Sequence, residues 1–149
     1  MRRSERKQTD PDLGILVARL LFGLQRDMVR DLDDRQGPGP KHGAVLAYLD
    51  EEGSRATDLA TLSGQHKQVI GTLIDELVEL GFVERRPDPS DRRAKLVVPT
   101  AKGVERMNRS DEVVAGIERR YAEAVGEQEF AAFKATLRKL VEISRGAAT

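Results

Sequence analysis

The chain has 149 residues, 25 basic and 25 acidic side chains, a formal net charge of zero, and 34% charged against 4% aromatic residues. That length allows one domain, or one domain with helical extensions, and the composition fits a helix-rich, well-solvated protein. There is no cysteine, and His42 and His66 stand far apart; this excludes a disulfide scaffold, a cysteine-ligated metal site and a thiol redox sensor, and leaves no zinc pattern.

Residues 1–9 are polar and mostly charged, as expected of a mobile basic tail. No apolar stretch follows MRRSERKQTD, so it is not a secretory signal, and no apolar run is long enough to span a bilayer. A soluble cytoplasmic protein with no membrane partner is expected. Thr9-Asp10-Pro11 reads as a helix start. The helix that follows carries Leu13, Leu16, Val17, Leu20, Leu21, Leu24, Met28 and Leu32 on one face, with Ile15, Phe22 and Val29 on a second. Two apolar faces imply cover from two sides, by its own domain and by a partner subunit. Asp33–Pro40 breaks the helix. Its Gly37-Pro38-Gly39 is a linker, since no strand–helix context surrounds it.

Lys41–Glu51 forms a short helix through Val45, Leu46, Tyr48 and Leu49, and Gly53 ends it. Arg55–Leu62 is another, and Ser63-Gly64 a turn. A third helix, about 66–80, repeats Val69, Ile70, Leu73, Ile74, Leu77 and Leu80 at three- and four-residue spacing and stops at Gly81. Helix, glycine-containing turn, helix is helix-turn-helix spacing, a weak signal by itself. Two strand-like runs, Phe82–Arg86 and Lys95–Val98, follow at once, joined by Pro87–Arg93. The fold class is therefore mainly α with a small β-wing (α+β): a winged helix-turn-helix over residues 40–100. Its helix is sized for a major groove, and its arginine-tipped wing, 87–95, can reach a neighbouring minor groove. Thr100 can cap a further helix through Val104, Met107, Val114, Ile117, Tyr121 and Val125. Gly126 breaks it, and Phe130, Phe133, Leu137, Leu140 and Val141 mark a last one. Both must pack on the first helix, on each other or on a second chain.

Charge is segregated along the chain. Arg85–Lys95 holds five basic and two acidic residues, whereas Asp111–Glu129 holds six acidic and two basic. A basic tip can touch phosphate while an acidic body stays away from it. Arg93 is the leading candidate, a guanidinium for a narrow minor groove, with Asp91 positioned to pair with it. Arg92 and Lys95 flank it for phosphates. On the third helix Lys67, Gln68 and Thr72 lie opposite Ile70, Ile74 and Leu77. Gln68 suits adenine N6 and N7, Lys67 guanine or phosphate, and Thr72 a thymine methyl or a backbone oxygen. His66 can cap that helix, touch phosphate or stand in solvent. Gly71 is costly in mid-helix; close helix packing is the first explanation and close approach to DNA the second. Arg55 and Thr57 open the short helix before the turn, a place that holds phosphate. His42 receives no role. Nucleophile elbow, paired carboxylates, metal cluster and phosphate loop are all missing from the sequence, so no enzyme and no cofactor are expected.

Several segments carry a family resemblance: Asp58-Leu59-Ala60, Leu73-Ile74-Asp75-Glu76-Leu77, Gly81-Phe82-Val83-Glu84-Arg85, Asp88-Pro89-Ser90-Asp91-Arg92-Arg93-Ala94 and Thr100-Ala101-Lys102-Gly103. Over residues 40–103 the chain resembles the MarR (multiple antibiotic resistance regulator) transcription factors, with the Asp-Pro-x-Asp-Arg-Arg wing the most specific part. The resemblance implies a homodimer, with residues 10–36 and 101–146 as the helical dimerisation region. It implies double-stranded DNA as partner, read at a pseudo-palindromic operator, with repression the commoner outcome. It also implies a small aromatic or lipophilic effector entering between the dimer region and the winged domain. The chain departs from the family at Gln65–Gln68, where serine or threonine is usual, at Thr72 and Glu76, where basic residues are frequent, and at Pro99. Glu76 and the zero net charge support one alternative, a winged-helix interaction module that has lost sequence-specific DNA binding.

Overall fold

The structure is a computed structural model that describes residues 1–146. Its helices are α1 (Arg3–Thr9), α2 (Leu13–Leu32), α3 (Gly43–Leu46), α4 (Ala56–Ser63), α5 (Lys67–Glu79), α6 (Ala101–Val125) and α7 (Glu127–Gly146). A 3-10 turn at Pro40–His42 precedes α3, and an antiparallel pair, β1 (Val83–Asp88) and β2 (Asp91–Pro99), lies between α5 and α6. The chain divides into two compact units, Met1–Asp111 and Glu112 onward.

Three boundaries differ from the sequence reading. The first nine residues, expected as a tail, contain α1. Thr9 ends that helix, and Asp12 caps α2, its Oδ1 accepting from the Ile15 amide at 3.4 Å. The helix expected over 41–51 shrinks to the 3-10 turn and the four residues of α3. The strands also run further than expected, so the connecting loop contracts to Pro89-Ser90.

One apolar cluster holds the first unit together. Val45 of α3, Leu59 of α4, Ile70, Ile74 and Leu77 of α5, Val83 of β1 and Val97 of β2 are all 2% exposed or less. The spacing of Ile70, Leu73, Ile74 and Leu77 turns one face of α5 inward, as a 3.6-residue period requires. The ribbon is tied to the segment before α4 by a β-bridge between Ser54 and Val97. Ser54 donates its amide to the Val97 carbonyl (2.9 Å) and accepts from the Val97 amide (2.8 Å). Gly81, at φ +84°, turns the chain out of α5 into β1. Thr100 then caps α6: its Oγ1 accepts from the Gly103 amide (3.1 Å) and donates to the Gly81 carbonyl (2.7 Å). Gly103 is obligatory by space, because a Cβ there would stand 2.0 Å from the Phe82 carbonyl oxygen.

α6 is fastened to the break after α2 by a buried arginine. Arg106 donates to Asp34 (3.0 Å) and to the Pro38 carbonyl (2.9 Å), while its Nε finds no partner. Burial lowers the Arg106 pKa, and the Asp34 charge opposes that shift. Arg109 donates to the Leu32 carbonyl beside it. α2 otherwise buries almost nothing: Leu13, Leu16, Val17, Leu21, Phe22 and Val29 are all exposed, Phe22 by 65%. In the second unit Phe130 packs between Tyr121 and Phe133, at centroid distances of 6.3 and 6.4 Å. α7 buries no residue.

Candidate nucleic-acid interface

The face of α5 opposite the core carries Gln68, Thr72, Asp75 and Glu79. It changes character along its length. The N-terminal half offers Lys67, Gln68 and Thr72, all exposed. The C-terminal half is acidic, and Asp75 is held by Arg85 of β1 at 2.6 Å. A polyanion is therefore acceptable only to the N-terminal half, which is also the positive end of the helix dipole. His66 caps that end, its Nδ1 accepting from the Gln68 amide at 3.1 Å. Its remaining ring nitrogen is then the one that carries hydrogen in the neutral ring. Thr72 donates its hydroxyl hydrogen to the Gln68 carbonyl (3.1 Å), which leaves its lone pairs and methyl group for an outside partner.

Two residues of α5 depart from the sequence reading. Val69, counted there with the core stripe, is 44% exposed. Gly71 has no neighbour within 4 Å of the place a Cβ would occupy. Close packing within the chain therefore does not account for a glycine in mid-helix.

The wing carries an irregularity at its tip. Pro87 pairs with Lys95, but Asp88 pairs with Asp91, so Arg92, Arg93 and Ala94 bulge from β2. A bulge bends its strand and re-aims the side chains on it. Arg92, Arg93 and Lys95 are exposed, with no ion pair among the described residues. Asp91 does not pair with the Arg93 guanidinium. Its Oδ1 accepts from the Arg93 backbone amide at 2.9 Å, the short local bond that aspartate makes two residues ahead, and so shapes the bulge.

Arg55 is also placed differently from expectation. Both its Nε (2.9 Å) and a terminal nitrogen (2.6 Å) donate to Asp88 Oδ2, so it grips the wing. Asp88 is buried, and its other oxygen accepts from the amide (2.9 Å) and hydroxyl (2.8 Å) of Ser90. These Ser90 bonds first, and Arg55 after them, depress the Asp88 pKa to about 2. Asp88 in turn raises the Arg55 pKa. Thr57, in the first turn of α4, is exposed. Sequence reasoning missed this latch, although aspartate two residues before serine is the signature of such a turn. Beside it, a cleft of about 480 Å³ is lined by Asp50, Arg55, Asp58, Leu62, Asp88 and Ser90. Its carboxylates outnumber its cation, which suits neither an anion nor a lipophilic molecule.

The family profile described as MarR family matches residues 36–94. Among solved structures, a transcriptional repressor, CouR, bound to a 23-mer DNA duplex is 25% identical, with 91% of this chain and 96% of that chain covered and a TM-score of 0.77. CouR from Rhodococcus jostii RHA1 bound to p-coumaroyl-CoA is 28% identical over 89% of this chain and 92% of that one, at a TM-score of 0.73. A transcriptional regulator (MarR family) from Rhodococcus sp. RHA1 is 27% identical over 87% and 91%, at 0.71. No protein of curated function matches the sequence. Residues 36–94, which hold the helix-turn-helix and the wing tip, match the MarR family, and the likeness to solved MarR-family transcriptional regulators extends over the flanking helices.

Proposed function

We propose that this protein is a homodimeric, ligand-responsive repressor working in the cytoplasm. Each subunit would lay the N-terminal half of α5 in a major groove and send Arg93 into the adjoining minor groove of a pseudo-palindromic operator. The observation that carries this reading is the wing tip. Two exposed guanidiniums without ion pairs sit on a bulge, on a ribbon that the Arg55–Asp88–Ser90 latch ties to the start of α4. Lys67, Gln68 and Thr72 would contact bases and backbone, Arg92 and Lys95 phosphates, and His66 would present the helix end. Thr57 would touch phosphate, while Arg55 would position the wing. Asp91 would contribute by holding the bulge in shape.

The exposed apolar faces of α2 and α7 support a second copy as the missing cover. The neighbour bound to p-coumaroyl-CoA supports an aromatic or lipophilic effector. Gel shift on the DNA upstream of the protein's own gene tests the reading. A DNA-binding dimer gives a complex whose affinity falls steeply with salt, and Arg93→Ala weakens it several-fold or more. No salt-sensitive complex on any promoter fragment would favour the interaction module instead.

A further inference from the structure

Glu76 sits on α5, one turn beyond Thr72, and its carboxylate leaves the outward face. Its Oε2 lies 2.8 Å from His42 Nε2, and its Oε1 accepts from Lys41 Nζ at 3.1 Å. The His42 ring is buried at 5% exposure, and its Nδ1 accepts from the Gly39 amide at 2.9 Å. That bond assigns the ring hydrogen to Nε2, which therefore donates to Glu76. The bonds from Lys41 and then His42 hold the Glu76 carboxyl below its ordinary range. The far end of this chain is itself fixed. Pro38, next to Gly39, accepts from buried Arg106, which also grips Asp34.

Resting on the DNA-binding reading, we propose that Glu76 is a positioning residue. Through His42 and Lys41 it fixes the rotation of α5 about its axis, and so decides which edges Gln68 and Thr72 meet. The underside of α5 is held by burial of Ile70, Leu73, Ile74 and Leu77, and apolar burial has no preferred direction. A hydrogen-bonded polar tether has one. The tether ends on a rigid turn clamped by α6, so the helix is referred to a fixed frame.

Charge and position predict opposite signs for the same substitution, which makes the test decisive. If Glu76 is merely a carboxylate near phosphate, removing it strengthens binding to every duplex. If it positions α5, Glu76→Ala weakens the selected site about ten-fold while binding to a scrambled duplex stays level or tightens. Affinities are measured by fluorescence anisotropy on a fragment selected by the wild-type protein from genomic DNA and on its scrambled counterpart. Glu76→Gln, which still accepts from His42, should restore most of the specific-to-scrambled ratio. A Glu76→Ala protein with an unchanged or raised ratio overturns the proposal, as does failure of Glu76→Gln to recover it. If circular dichroism shows the alanine variant unfolded, Glu76→Met, which keeps a helix-forming chain and removes the carboxylate, must show the same drop in ratio. Absence of any salt-sensitive wild-type complex would instead sink the DNA-binding reading, a distinguishable failure.

Discussion

Gly71→Ala separates the needs of the fold from those of the partner. Gly71 lies inside α5, where glycine costs about 0.5–1 kcal/mol relative to alanine. Its φ lies outside the left-handed range, and a Cβ there meets no atom within 4 Å. Alanine therefore gains the full helix benefit with no clash, and the melting temperature should rise by about 2–5 °C. The new methyl would stand beside Gln68 and one turn from Lys67, on the flank of the proposed reading face. A carbon there keeps neighbouring atoms about 3.5–4 Å away. If DNA approaches the α5 backbone at this point, specific affinity should fall about ten-fold although the protein is more stable. Thermal melts followed by circular dichroism, with titration of a labelled operator, give both numbers. An alanine variant that is more stable and binds equally well would show that no partner comes close to Gly71. One that is less stable would contradict the open space around it.

Three further outcomes follow from named contacts. Asp88→Asn keeps an acceptor for Ser90 but weakens the grip of Arg55, and should lower both the operator affinity, on the order of ten-fold, and the melting temperature, as anisotropy and calorimetry would show. Because the Asp88 pKa is depressed in the folded state, its contribution is fully present above the ordinary aspartate value. It should be lost as pH falls from about 4 toward about 2, so acid titration of the wild type should show a stability step in that window that Asp88→Asn lacks. Leu20→Glu puts a carboxylate on the apolar face of α2 and should turn the proposed dimer into monomer in sedimentation equilibrium, while a variant that remains dimeric would remove α2 from the interface.

The fold was legible because local signals agreed. Hydrophobic spacing placed α5, strand-favouring residues on either side of a proline-containing loop placed the ribbon, and Thr100 marked the start of α6. What escaped were interactions whose partners lie far apart in sequence. Arg55 looked like a phosphate ligand because its position at the start of α4 was visible and its partner, Asp88, was not. Glu76 looked like a fault in a DNA-binding helix because nothing local reveals that it turns toward Lys41 and His42. Val69 fitted the apolar spacing yet is exposed, since the buried arc of a helix is set by what packs on it. The irregular register of the wing was likewise hidden, because it depends on pairing across the ribbon.

The two-point grip is tested most directly by hydroxyl-radical footprinting of the wild type and Arg93→Ala on one operator, which reports minor-groove accessibility base by base. Protection should appear in two symmetric halves. Each half should have an outer minor-groove patch that disappears in Arg93→Ala, while the protection of guanine N7 from dimethyl sulfate, which reads α5 in the major groove, persists at a raised protein concentration. A variant footprint identical to the wild type, outer patches included, would contradict the account.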